Sequence, residues 1–169
     1  MQDLLCPHWV FDDYSSVTPE FLQRLGVRLL LTDLDFTLAP KKTKNPDETV
    51  RAWLQSLKDS GVQVVIISNN RSPARVERYC RKLGIRYVSH AQKPLVRGYR
   101  KAMAQNGAAP GETAMLGDKL LTDTLGARRC GITMLMVEPA GGAVGLWQKA
   151  LHALQEPFKR AAAHDERKK

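Results

Sequence analysis

Asp33 and Asp35 flank Leu34 in the run Asp33-Leu34-Asp35-Phe36-Thr37, directly after the apolar stretch Val27 to Leu31 that only Arg28 interrupts. An apolar run ending in two acids and a threonine reads as a buried strand that delivers polar groups at its C-terminal edge. Two carboxylates one residue apart share a strand face, but past the strand end the chain turns and they can diverge. Such a pair suits phosphoryl transfer, in which one carboxylate attacks phosphorus and the other manages the proton on the leaving oxygen. A strand end with solvated acids is the plain alternative, and a motif this short does not decide between them. Further polar groups follow downstream. Ser68-Asn69-Asn70 closes a second apolar run, Lys93 stands before Pro94, and Gly117-Asp118 is followed by Asp123. Taken singly, each reads equally as a polar turn, a helix start or a helix cap.

Their placement in the fold joins them. Thr18-Pro19 opens a short helix that Gly26 stops, and a strand follows, ending at Asp33. Asn45-Pro46-x-Glu48 opens the next helix, with Val50, Trp53, Leu54 and Leu57 at helical spacing and Gly61 closing it. Val62 to Ile67 is a strand, Ser72-Pro73 starts a helix that ends at Gly84, and Ile85 to Val88 is a short strand. A helix from Pro94 to Asn106, a strand from Thr113 to Leu116, a helix from Leu121 to Arg129 and a strand from Ile132 to Val137 complete the pattern. Alternating strands and helices predict a Rossmann-like α/β fold, a parallel sheet with helices on both faces. In such folds the cleft lies beyond the carboxyl ends of the strands. All the polar groups named above fall on that edge. Residues 1–145 read as one domain and 146–169 as a C-terminal helix and basic tail. Trp147, Leu151, Leu154 and Phe158 recur every three or four residues as an amphipathic stripe, and Arg160 to Lys169 reads as frayed.

At 169 residues the chain suits one well-buried domain. No stretch approaches the roughly 18 consecutive apolar residues of a membrane span. The N-terminus, with Asp3, Asp12 and Asp13, lacks a basic-then-apolar leader, so a cytoplasmic location is expected. Cys6, Cys80 and Cys130 are odd in number and form no paired motif, as in a reducing compartment. The net charge is +9, and the stretch Arg71 to Lys101 alone holds ten basic residues against Glu77. A basic surface favours anionic partners, or serves solubility alone.

Together these residues resemble the haloacid dehalogenase (HAD) superfamily of aspartate-based phosphatases. The four motifs occur in order: DLDFT at Asp33 to Thr37, Ser68 after an apolar strand, Lys93 before Pro94, and GDKLLTD at Gly117 to Asp123. ISNN, AQKPLVRGYRKA, GDKLLTDTLGARRCGIT and VEP resemble the YqeG-like, capless subclass IIIA phosphatases more closely, over about residues 5 to 140. The resemblance implies a HAD-type fold and a nucleophilic Asp33 that forms an aspartyl-phosphate. It also implies that Asp35 is the general acid and base. Thr37, Ser68, Asn69 and Lys93 would bind phosphate. Mg²⁺ would be held by Asp33, Asp118 and the carbonyl oxygen of Asp35, with Asp123 orienting water or Lys93 from behind. Two positions depart from the family pattern: Phe36 stands where Asn is usual, and Lys119 where Gln is usual. The Lys119 ammonium would either compete with the metal or assist an anionic substrate.

Crossovers of ordinary length leave little room for an inserted cap. An uncapped site meets a phosphate presented by a larger body. Phosphatidylglycerophosphate, an anionic lipid that relatives of this family dephosphorylate, is the leading substrate, reached by peripheral contact with the inner face of the membrane. Some charges of the basic block should then flank the cleft mouth, with Arg75, Arg78 and Arg81 contributing to binding of an anionic bilayer. Soluble sugar phosphates or nucleotides are the alternative. A catalytically idle module binding RNA or ribosomes is a third reading. Intact acids, and the lack of any RNP-like aromatic pair or zinc finger, argue against this third reading and against nucleic acid as a partner.

Overall fold

Seven short strands build a single parallel sheet: β1 (Trp9–Phe11), β2 (Leu29–Thr32), β3 (Gln63–Ile67), β4 (Arg86–Val88), β5 (Thr113–Gly117), β6 (Thr133–Val137) and β7 (His164–Asp165). Their spatial order is β4-β3-β2-β5-β6-β1-β7. Among the described residues, six α-helices connect or cover them: α1 (Pro19–Arg24), α2 (Glu48–Asp59), α3 (Pro73–Leu83), α4 (Val96–Asn106), α5 (Leu125–Cys130) and α6 (Leu146–Arg160). The computed structural model describes residues 4–41, 43–70, 72–142 and 145–167. Asp3, Arg71, the Trp147 side chain and the tail residues Lys168 and Lys169, all used in the sequence reading, lie outside the described residues.

Period-two alternation divides the sheet between two cores. Leu30, Ile66, Leu116 and Leu135 turn to one face, where Phe21 and Leu22 of α1, Trp53 and Leu57 of α2 and Tyr79 of α3 cover them. Leu31, Val65, Met115 and Met134 turn to the other, under Tyr99 and Met103 of α4 and Ala127 of α5. Helices on both faces force strands buried on both sides, hence the unbroken apolar runs. The buried Trp53 indole N–H finds an acceptor in the Val17 carbonyl at 2.9 Å.

The predicted helix starts mostly hold. Thr18 caps α1, its hydroxyl accepting from Phe21 N–H at 3.2 Å, and Pro19 occupies the first turn. α2 differs by two residues. Its cap is Asp47, whose carboxylate accepts from Val50 N–H at 2.9 Å, not Asn45. Asn45 instead accepts from the Lys82 ammonium at 2.6 Å.

Both strands of the outer edge escape sequence reading. β1 adds parallel to β6 and β7 parallel to β1, so the tail is ordered as far as Arg167 and not frayed there. Arg167 holds it there, paired with Asp165, Glu138 and Glu156 at 2.7 to 3.1 Å. The predicted apolar stripe of α6 is corrected as well, because Leu154 is 64% exposed while Gln155 and Lys159 are buried. Lys159 is buried because both oxygens of Glu138 receive its ammonium, at 2.7 and 2.8 Å. A long side chain with a paired head takes a core position that its residue type would not predict.

The order in which strands are added reverses between β2 and β5: β3 and β4 extend to one side of β2, β5 and β6 to the other. That switch opens a crevice at the carboxyl ends of β2 and β5. Asp33 follows β2 and Asp118 follows β5. Among the described residues no inserted domain covers this edge, as the crossover lengths predict.

Candidate active site

Each acid arrives at the crevice by a short route. Asp33 N–H donates to the Leu116 carbonyl at 2.9 Å, which carries the β2–β5 pairing one residue beyond β2. The chain then turns, with Phe36 at φ 68° and its N–H donating to the Ala39 carbonyl at 2.8 Å. A left-handed backbone is natural for Asn and costly for a bulky residue such as Phe. The turn sends the two carboxylates apart, the divergence that a strand end permits. Asp33 points to the buried centre. Asp35 is held elsewhere by Arg75 at 2.6 Å and by the Asn70 amide, which donates to Oδ2 at 2.8 Å.

Around Asp33 lies a buried cluster of charges. Lys93 Nζ stands 2.8 Å from Asp33 and 2.7 Å from Asp123, with all three side chains buried. Burial would depress this ammonium, but Asp123 and Asp33 outweigh it and raise its pKa above the ordinary lysine value. Asp118 is pushed up to about 7, chiefly by burial, against the pull of Lys119. Lys119 Nζ lies 2.6 Å from Asp118 Oδ1 and 3.7 Å from Asp33 Oδ2, and it donates to the Asp35 carbonyl at 3.4 Å. Its ammonium is also raised, because Asp118 first and then Asp33 and Asp123 override the cost of burial.

Glycine at 117 makes this packing possible. A Cβ there would stand 2.5 Å from Asp123 Oδ2 and 2.6 Å from its Cγ, so any larger residue displaces the acid that holds Lys93. The π-helical turn Leu120–Thr124 then brings Asp123 back under the strand end. Its Oδ2 accepts from Lys119 N–H at 3.1 Å. Gln155 of α6 fixes the same loop by accepting from the buried Leu120 N–H at 2.8 Å.

The remaining expected residues divide by what their polar atoms already hold. Ser68 is buried and lines the cleft, its Oγ accepting from Asn70 N–H at 3.1 Å, which leaves its hydroxyl proton to donate. Asn69, expected on phosphate, lines the cleft and also positions Lys93. Its amide donates one hydrogen to the Lys93 carbonyl at 2.8 Å and its oxygen accepts from Lys93 N–H at 2.7 Å, which leaves a second amide hydrogen to donate. Thr37 is buried, and its hydroxyl donates to Asp118 Oδ1 at 3.3 Å. In that position it orders a carboxylate rather than facing the cleft. Asn70 and Arg75 were not singled out from sequence as site residues. Arg75 sits in the first turn of α3, directly after the loop that follows β3, and in an α/β fold that turn lies at the cleft edge. Gln155 gave no such signal.

Only part of the basic block reaches the cleft, where Lys93 lines the wall and Arg75 pairs with Asp35. Helices of a parallel sheet run back from the cleft edge, so Arg81 and Lys82 at the end of α3, and Arg86 at the start of β4, lie at the far edge. Arg81 pairs with Glu77 there. Arg75 turns inward to Asp35 and so does not face a bilayer. The cleft itself holds about 420 Å³ and includes Lys41, Ser68, Lys93 and Lys119 in its wall. A larger groove of about 710 Å³ between α2 and β3 contains none of the acids.

The chain has relatives among known proteins. A haloacid dehalogenase-like hydrolase model matches residues 11–131. The probable phosphatase YqeG of Bacillus subtilis is 33% identical over 129 residues, covering 76% of this chain and 74% of its own. The chain is a YqeG-like HAD phosphatase. Solved structures agree on the HAD fold. The 3-deoxy-D-manno-octulosonate 8-phosphate phosphatase of Yersinia pestis superposes with a TM-score of 0.55 at 20% identity, over 83% of this chain and 89% of its own. Its counterpart from Moraxella catarrhalis, solved with magnesium, phosphate and a KDO molecule, gives 0.54 at 20% identity, over 83% and 92%. In this HAD chain, Asp33, Asp118 and Asp123 each present a ligand oxygen within 4.8 Å of the others. An all-oxygen set of carboxylates beside an open cleft suits a hard cation such as Mg²⁺.

Proposed function

We propose that the chain is a Mg²⁺-dependent phosphate monoester hydrolase that works through an aspartyl-phosphate on Asp33 and takes its phosphate from a lipid surface, with phosphatidylglycerophosphate as substrate. The observation that carries the chemistry is the buried Asp33 held 2.8 Å from Lys93 at the mouth of an uncovered cleft. Asp33 and Asp118, with the Asp35 carbonyl, would hold the metal. Bound there, it would neutralise charge on the phosphoryl oxygens.

The residues then divide the work. An Asp33 oxygen bonds to phosphorus as the ester P–O bond breaks, and the departing oxygen takes a proton from Asp35. Arriving phosphate offers Arg75 another partner, which frees Asp35 for that role. In the second half, water gives its proton to Asp35 and its oxygen to phosphorus, and the Asp33–phosphorus bond breaks. Lys93 screens the repulsion between phosphate and Asp33, and the Ser68 hydroxyl donates to a phosphoryl oxygen.

Support for a lipid surface comes from the rim. Leu95, two residues beyond Lys93, and Leu121, between Lys119 and Thr122, are 52% and 56% exposed. Arg97 beside them is exposed. Apolar tips next to basic side chains suit an interface with anionic headgroups, where each basic residue contributes about 1 kcal/mol. No helix of the described residues is long and apolar enough to cross a membrane. The test compares phosphatidylglycerophosphate in mixed micelles with glycerol 3-phosphate and sugar phosphates at equal bulk phosphate. The expected result is faster lipid hydrolysis, with vesicle binding that weakens as salt rises. The combined variant Leu95→Ser, Leu121→Ser, Arg97→Glu should lose that preference and keep p-nitrophenyl phosphate turnover. Equal rates on lipid and soluble esters would replace the lipid by a soluble sugar phosphate or nucleotide.

A further inference from the structure

The position of the Lys119 ammonium carries an inference that rests on the proposed metal site. Its three oxygen neighbours come from the two stretches of chain that meet at the cleft: Asp118 Oδ1 at 2.6 Å, the Asp35 carbonyl at 3.4 Å and Asp33 Oδ2 at 3.7 Å. These are the oxygens assigned to Mg²⁺. A cation that already touches them and a divalent ion that needs them exclude each other. We propose that Lys119 is a tethered competitor for the metal, filling its place in the metal-free enzyme and swinging out when the ion loads.

Electrostatics explains why a lysine settles there. Asp33, Asp118 and Asp123 are buried together, and Lys93 supplies one positive charge against three negative ones. Lys119 brings the cluster to a formal −1, whereas a divalent ion in its place brings it to zero. Uncompensated buried carboxylates are costly, so the tethered ammonium protects the empty site. The side chain has somewhere to go. It is 33% exposed, its Nζ lies 5.5 Å from the Phe36 ring centroid, and both residues line the cleft. An aromatic face next to solvent holds a cation at little cost. Swung toward the cleft, the ammonium meets the incoming phosphate. Metal and phosphate therefore help each other to bind: the ion expels the ammonium, and phosphate gives it a new partner.

The sign of the effect distinguishes this role from a merely structural one. Loss of a supporting contact loosens metal binding, and loss of a competitor tightens it. The test titrates Mn²⁺, as a spectroscopic stand-in for Mg²⁺, into wild type, Lys119→Gln and Lys119→Met, with free Mn²⁺ read by electron paramagnetic resonance. It is run with and without inorganic phosphate, and folding is checked by circular dichroism. Both variants should bind Mn²⁺ at least about tenfold more tightly than wild type, a gain equivalent to roughly 1.4 kcal/mol. Phosphate should tighten Mn²⁺ binding to wild type more than to either variant. Equal or weaker binding by folded variants, with wild type still binding, overturns the Lys119 role and leaves the metal site standing. No Mn²⁺ bound by any of the three proteins overturns the metal site itself and this role with it.

Discussion

Asp33→Asn is expected to lower phosphate monoester turnover by at least about a thousandfold and leave the fold intact. The amide keeps the size of the side chain but cannot attack phosphorus. The fold should survive because Lys93 retains Asp123 at 2.7 Å, so no buried charge is stripped of its only partner. Hydrolysis of p-nitrophenyl phosphate with Mg²⁺, beside thermal unfolding, checks both halves. Turnover within about tenfold of wild type by a folded, undeamidated variant would remove Asp33 from the nucleophile's role.

Lys93→Met should do damage of a different kind. Methionine fills the space and leaves Asp33 and Asp123 facing each other without their shared cation. Breaking a buried pair from one side costs about 3–5 kcal/mol, so a large fall in melting temperature is expected along with the loss of activity. The sign of the pH effect follows from the raised pKa of Lys93. A cation favoured in the folded state contributes fully at neutral pH and fades only above the ordinary lysine value of about 10.4. An unchanged melting temperature at neutral pH would mean that the three side chains are not coupled as their distances imply.

Much of this site was legible because strand ends announce themselves. Asp33, Ser68 and Asp118 each follow an apolar run, and a parallel sheet brings all such ends to one edge. Asp123 and Lys93 were expected on the same edge, and their side chains stand 2.7 Å apart. Other features carried weaker signals. β1 and β7 are three and two residues long, too short for a period to show, and they exist because β6 offers an open edge. Lys159 looks like a surface residue until Glu138 is known to face it. Arg75 counted as surface charge because composition records sign and not direction. Asn69 and Thr37 have the residue types of phosphate ligands, and only their hydrogen bonds show that Lys93 engages part of the Asn69 amide and that Asp118 takes the Thr37 hydroxyl proton. A residue's type says what it can bind, while its neighbours decide what remains to bind with.

The phosphoenzyme can be caught in Asp35→Asn. A good leaving group such as p-nitrophenolate departs with little acid assistance, but hydrolysis of the acyl phosphate still needs a base. Removing that base should therefore let the intermediate accumulate. The decisive measurement is an acid quench of Asp35→Asn during turnover of phosphorus-labelled p-nitrophenyl phosphate with Mg²⁺, followed by peptide mapping. The expected result is a hydroxylamine-labile phosphoryl group on the peptide that carries Asp33, absent when Asp33→Asn is added to the same protein. Label on any other residue, or none in Asp35→Asn while wild type becomes labelled, would contradict an aspartyl-phosphate on Asp33 that Asp35 resolves.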